Sequence, residues 1–237
     1  MAKLTQSQLV RQAEIFVTNG AKPAAQAVIA GVGYEPAVLN DGQDLVSAVK
    51  TGQALTKEQL AAQKSATQAE KKARLAAQKE TTSLAETSRL LFADDGAALT
   101  ALGLQTQYVT VTDPVTGKID QQAAEVRRST AETISRWRQL VKNATQLQPD
   151  QIAALTAAGW GEARVTAVTD LVEAYASADT AQQSAIQTYQ QTSAQYKTDI
   201  ETLRAWYSRA RQLCALAIKD KDPGNQQNLR ELLGLDG

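Results

Sequence analysis

Apolar residues recur three and four positions apart along most of this chain, the period of helices with one covered face. The longest run, Asp179 to Lys219, contains neither Pro nor Gly. Ile186, Tyr189, Tyr196, Ile200, Leu203, Tyr207, Ala210, Leu213 and Ala217 form its seam. At 1.5 Å of rise per residue such a rod is about 60 Å long and needs other helices beside it.

The same logic predicts the elements before it. Leu4-Thr5-Gln6-Ser7-Gln8-Leu9 and Leu55-Thr56-Lys57-Glu58-Gln59-Leu60 share the pattern L-T-x-x-Q-L. Thr at the N-cap accepts from the N3 amide, Gln at N3 reaches back, and the two leucines staple the turn. Helix starts are therefore expected at Thr5 and Thr56. The first helix ends near Asn19-Gly20, and Pro23 and Pro36 open shorter ones. The helix from Thr56 runs to about Ala93, where Asp94-Asp95-Gly96 stops it, and a short turn closes at Leu102-Gly103-Leu104.

Tyr108 to Ile119 breaks the period. It is β-branched and alternating around Pro114 and Gly117, so it is either a β-hairpin or an extended linker. Helices then resume with a seam through Ile134, Trp137 and Val141, restart at Pro149, and restart again after Gly159-Trp160.

The second half echoes the first. Pro23 and Pro149, Gly33-Tyr34 and Gly159-Trp160, and Asp44-Leu45-Val46 and Asp170-Leu171-Val172 all stand 126 residues apart, and Leu102-Gly103-Leu104 returns as Leu233-Gly234-Leu235. The expected fold class is all-α: an elongated helical bundle of two related tandem repeats, each built on a long helix with coiled-coil-like packing. The first repeat is 1–104, the linker or hairpin 105–119, and the second repeat 120–237.

With one residue inserted before the second rod, Ala62, Ala66, Ala69, Ala73 and Ala76 align with Tyr189, Ser193, Tyr196, Ile200 and Leu203. Alanine permits close helix approach but buries little area, at about 25 cal/mol per Å². This alanine seam is the expected partner-binding face, for a protein partner or for self-association.

Composition narrows the chemistry. Twenty-five basic and 25 acidic residues balance, so no basic stripe dominates and nucleic-acid binding is not expected. Arg127, Arg128, Arg136 and Arg138 interleave with Glu125 and Glu132 as a solvated helix face. No apolar run is long enough for a membrane span, and the first residues lack a signal-peptide core, so the expected compartment is cytoplasmic. Histidine is absent, which removes the commonest general base and the usual metal-binding imidazole. The single Cys214 follows Leu213 on the second rod and reads as a small hydrophobe.

The expected function is a non-enzymatic structural or protein-interaction module. The alternative is a bundle that takes an apolar small molecule in the second repeat, at Tyr196, Trp206 and Tyr207. Cofactors are not expected, apart from weak calcium binding at 220–231. There Asp220, Asp222 and Glu231 fall at positions 1, 3 and 12 of a loop whose Pro223-Gly224-Asn225 departs from the calcium-loop order.

Overall fold

A computed structural model describes residues 4–104, 108–112, 119–123, 128–221 and 224–235. The fold is all-α with one small β-ladder. Helices α1 (Gln6–Gly20), α2 (Pro23–Ile29), α3 (Pro36–Leu91) and α4 (Gly96–Ala101) precede strands β1 (Tyr108–Thr112) and β2 (Ile119–Ala123). Helices α5 (Thr130–Ala144), α6 (Pro149–Ala157), α7 (Glu162–Lys221) and α8 (Gln226–Leu232) follow. The strands pair antiparallel, from Tyr108 opposite Ala123 to Thr112 opposite Ile119. The segment read as hairpin or linker thus contains a paired ladder extending beyond residue 119. The expected turn at Pro114 and Gly117 lies outside the described residues.

The expected start at Thr5 is a capping box, as the Thr5 hydroxyl accepts from the Gln8 amide and the Gln8 side chain accepts from the Thr5 amide. Ser129 and Glu132 repeat the device at α5. The same motif at Thr56 starts nothing, because α3 is one helix of 56 residues. There the Thr56 hydroxyl turns back and donates to the Gly52 carbonyl at 2.8 Å. Nor does a helix begin at Asp179, since α7 runs unbroken for 60 residues. One internal glycine costs a helix about 1 kcal/mol, too little to break one packed along a neighbour.

The chain forms two compact units, and they do not follow the sequence halves. Unit 1 contains residues 1–63 and 185–237, and unit 2 contains 64–184. Unit 1 buries α1 and α2 against the first part of α3, the last part of α7, and α8. Phe16 sits at its centre, edge-on to Tyr34, Trp206 and Tyr207 at centroid distances of 5.8, 5.8 and 6.1 Å. The α8 tail closes the core with Leu229, Leu233 and Leu235, all buried, and Asn19 Nδ2 donates to the Leu232 carbonyl at 2.7 Å.

Unit 2 uses the complementary parts. Leu140, Val141 and Ala144 of α5 and Leu155 of α6 are buried with Val165 and Val168 of α7 and with Leu84 of α3. The tail residues Ala98, Leu102 and Leu104 close that core. Asn143 Nδ2 donates to the Ala101 carbonyl. Trp160 Nε1 donates to Thr87 at 3.2 Å, while the Arg164 guanidinium covers the Trp160 ring at 3.8 Å and pairs with Glu80 at 3.1 Å.

In each unit α3 and α7 run antiparallel. Within unit 1 Gly42 lies under Trp206 and Gly52 under Tyr196. Within unit 2 Gln182 reaches Thr67, and Arg164 reaches Glu80. Burial follows the 126-residue offset without any inserted residue. Leu39 and Val165, Val46 and Val172, Ala77 and Leu203, Leu84 and Ala210, and Phe92 and Ile218 are all buried. The one-residue insertion assumed in aligning Ala62 with Tyr189 is therefore not needed.

Two glycines of α3 test this packing in opposite directions. A Cβ at Gly42 would lie 2.2 Å from the Trp206 ring, whereas one at Gly52 would meet Tyr196 Cδ2 at 3.2 Å. Overpacking costs about 1–3 kcal/mol and the gain in helix propensity is about 1 kcal/mol. Gly42→Ala should lower the urea midpoint, while Gly52→Ala, beside a half-buried ring free to shift, should raise it.

Candidate functional site

The expected partner face lies on one flank of α3. Ala62 and Ala69 are exposed, while Ala66, Ala73 and Ala76 are partly covered within the chain. The covered line runs one step round the helix, through Gln63, Ala66, Glu70, Ala73 and Ala77. From Lys50 to Ala76 in α3, and from Ala176 to Asp199 in α7, no residue is buried. Leu55 and Leu75 are among the most exposed large apolar residues, at 43% and 54%.

Of the three expected ligand residues, Trp206 and Tyr207 share the aromatic cluster around Phe16, and Tyr196 stands apart from it. Trp206 is half-buried in the aromatic cluster, where its ring lies over Gly42. Tyr196 lines an open groove of about 590 Å³ with Gly52, Leu55, Thr192 and Gln195. Tyr207 is buried, and its hydroxyl donates to the Gly234 carbonyl at 3.0 Å. Burial raises the phenol's pKa, and the nearby Arg211 pulls it back down.

Of the expected calcium ligands, Asp220 and Glu231 are exposed and Asp222 lies outside the described residues. Among the described residues no three His, Cys, Asp or Glu side chains come close enough to hold a metal ion. No helix among them is long and apolar enough to cross a membrane.

A further candidate site is a cleft of about 290 Å³ in unit 1. Leu4, Leu9, Tyr207, Ala215 and Leu235 supply its apolar wall, and Arg204, Arg211 and Arg230 its polar edge. Arg211 is fixed there, since its Nε donates to the Leu235 carbonyl at 3.0 Å. Unit 2 has a cleft at the corresponding place, of about 690 Å³, edged by Arg89, Arg128 and Arg136. Thr81 and Ala85 stand there where unit 1 has Tyr207 and Arg211. The smaller side chains account for the wider space. No described residue lining either cleft is acidic. The unit 1 cleft combines an apolar wall with guanidinium groups that can bind carboxylate or phosphate, whereas the unit 2 cleft is lined mainly by polar side chains.

Sequence reasoning passed over Arg204, Arg211 and Arg230. The first two share a helical face with Ser208 and Ala215, a signal readable at spacings of three and four. Arg230 of α8, Leu9 of α1 and the flanking Leu4 and Leu235 are brought together only by the fold.

No known protein family matches this chain, and no curated protein or solved structure matches it.

Cys214 lies in the unit 1 core with no exposure, and burial pushes its thiol up to about 12. An unfolded thiol titrates near 8.5. Below that pH both states keep the proton, and the thiol's contribution to stability is complete. Above it the unfolded chain releases the proton while the folded one holds it. Stability should therefore fall with rising pH, by at most about 1.4 kcal/mol per unit from this group. Urea melts between pH 8 and 11 check this, and Cys214→Ala should flatten the alkaline limb. In the native protein Cys214 should resist a thiol reagent until urea unfolds the chain.

Proposed function

We propose that this chain is a non-enzymatic protein-interaction module that uses the exposed flank of α3 around Ala62 and Ala69. The observation that carries this reading is the stretch from Lys50 to Ala76, a helix kept regular with no buried residue. Small side chains there let a second helix approach closely, and exposed Leu55, two helical turns before Ala62, adds apolar area on the same flank. The absence of histidine and the high thiol pKa of Cys214 support a role without catalysis.

The test is sedimentation across a concentration series, together with cross-linking from a photoreactive residue at position 69. Ala62→Glu with Ala69→Glu should leave the helical spectrum unchanged, because both positions are exposed. Association should weaken at least tenfold, about 1.4 kcal/mol. A wild-type chain that stays monomeric and yields no cross-link sensitive to these substitutions would sink the reading.

The arginine-edged clefts favour a second reading, a binder of an amphipathic anion whose apolar part lies against Leu9, Tyr207 and Leu235. Dodecanoate should raise the melting temperature and the uncharged dodecyl maltoside should not, with Arg204→Gln weakening the shift. Equal shifts from both probes would rule out anion recognition.

A further inference from the structure

We infer that the two halves of the chain are reciprocal partners, each half's head being an interaction surface for the other half's tail. By head we mean the two short helices and the Gly-aromatic turn, α1 and α2 with Gly33-Tyr34, or α5 and α6 with Gly159-Trp160. By tail we mean the end of the long helix and the short helix after it, α3 with α4 or α7 with α8. This goes beyond the interaction reading above and does not depend on it.

Three sets of observations carry the inference. First, the heads match. Pro23 and Pro149 both occupy the first turn of their helices, and Gly33 and Gly159 take left-handed φ values of 84° and 85°. Tyr34 and Trp160, which follow them, are both buried. Second, the tails match. Gly103 and Gly234 have φ values of 71° and 66°. Ala98, Leu102 and Leu104 are buried, as are Leu229, Leu233 and Leu235, each 131 residues on.

Third, the matched parts are exchanged. Asn19 of the first head donates to Leu232 of the second tail, and Asn143 of the second head donates to Ala101 of the first tail. The donors are 124 residues apart and the acceptors 131, so these bonds are one contact made twice. Core membership repeats the exchange. Phe16, Val17 and Ile29 share a core with Leu203, Ile218 and Leu233. Leu140, Val141 and Leu155 share theirs with Ala77, Phe92 and Leu102.

The physical reason lies in the long helices. The head before α3 packs in unit 1 and the tail behind it in unit 2, and α7 divides the second half in the same way. The matching head available to that tail belongs to the other half. Two copies of either half would be able to satisfy one another in the same way, which makes the single chain a fused form of an exchanged dimer.

The experiment cuts the folded full-length chain at a protease site placed between β1 and β2. The cut protein should migrate as one 1:1 species, and its melting temperature should rise with concentration while that of the uncut protein stays fixed. Fragments that separate under native conditions and each keep a native helical spectrum would overturn the inference. Amide exchange on the uncut chain is an independent check. Asn19→Ala should accelerate exchange in α8 and leave α4 unchanged, and Asn143→Ala should do the reverse. The opposite pairing would overturn it too.

Discussion

A helix with an apolar stripe cannot cover that stripe itself, and everything else in this molecule answers to that constraint. Each long helix carries large buried residues near its two ends. In α3 these are Leu39, Val46 and Val49, then Leu84 and Phe92 at and just beyond the far end. In α7 they are Val165, Val168 and Val172, then Leu203, Tyr207 and Ile218. The antiparallel partner covers one side of each stripe, and the short helices cover the remainder. At about 25 cal/mol per Å² the aromatic and leucine side chains at these ends outweigh anything the alanine-rich middle could contribute. The short helices are found where that area is found.

The two cores meet the same demand with different side chains. Unit 1 centres on a cluster of Phe16, Tyr34, Trp206 and Tyr207, with Gly42 leaving room for the Trp206 indole. In unit 2, Val168 occupies the place of Gly42 and Thr81 that of Tyr207. A further difference is Ser88, which stands 126 residues before Cys214 and is fully buried with no hydrogen-bond partner for its hydroxyl among the described residues. A thiol tolerates an apolar pocket, whereas an unpaired hydroxyl costs about 1–3 kcal/mol. Unit 1 therefore fits its site better at this position.

The local chemistry of the fold was legible in the sequence. Capping at Thr5 and proline at the first turns of α2 and α6 follow from residue type alone. Continuity was not legible. The motif at Leu55 to Leu60 reads as a helix start, and only the neighbouring α7 decides that the helix runs through it. The site was less legible still. The expected partner seam divides into exposed Ala62 and Ala69 and partly covered Ala66, Ala73 and Ala76, a division that residue type does not reveal because all five are alanine. Tyr196, Trp206 and Tyr207 looked like one lining, but Tyr196 lines an open groove while Trp206 and Tyr207 share the aromatic cluster, and Tyr207 also walls the arginine-edged cleft. Sequence spacing places residues on a helix face, but the order in which distant segments pack decides what that face meets.

That packing order also explains why the sequence halves and the compact units disagree. A repeat read along the chain predicts that each half encloses its own core, and α1 to α4 contain every element needed. Instead the first head shares its core with the second tail, and the second head with the first tail. Residues 50–76 of α3 and 176–199 of α7 are rich in alanine and polar side chains, and none of them is buried, so these stretches add little apolar area to either core.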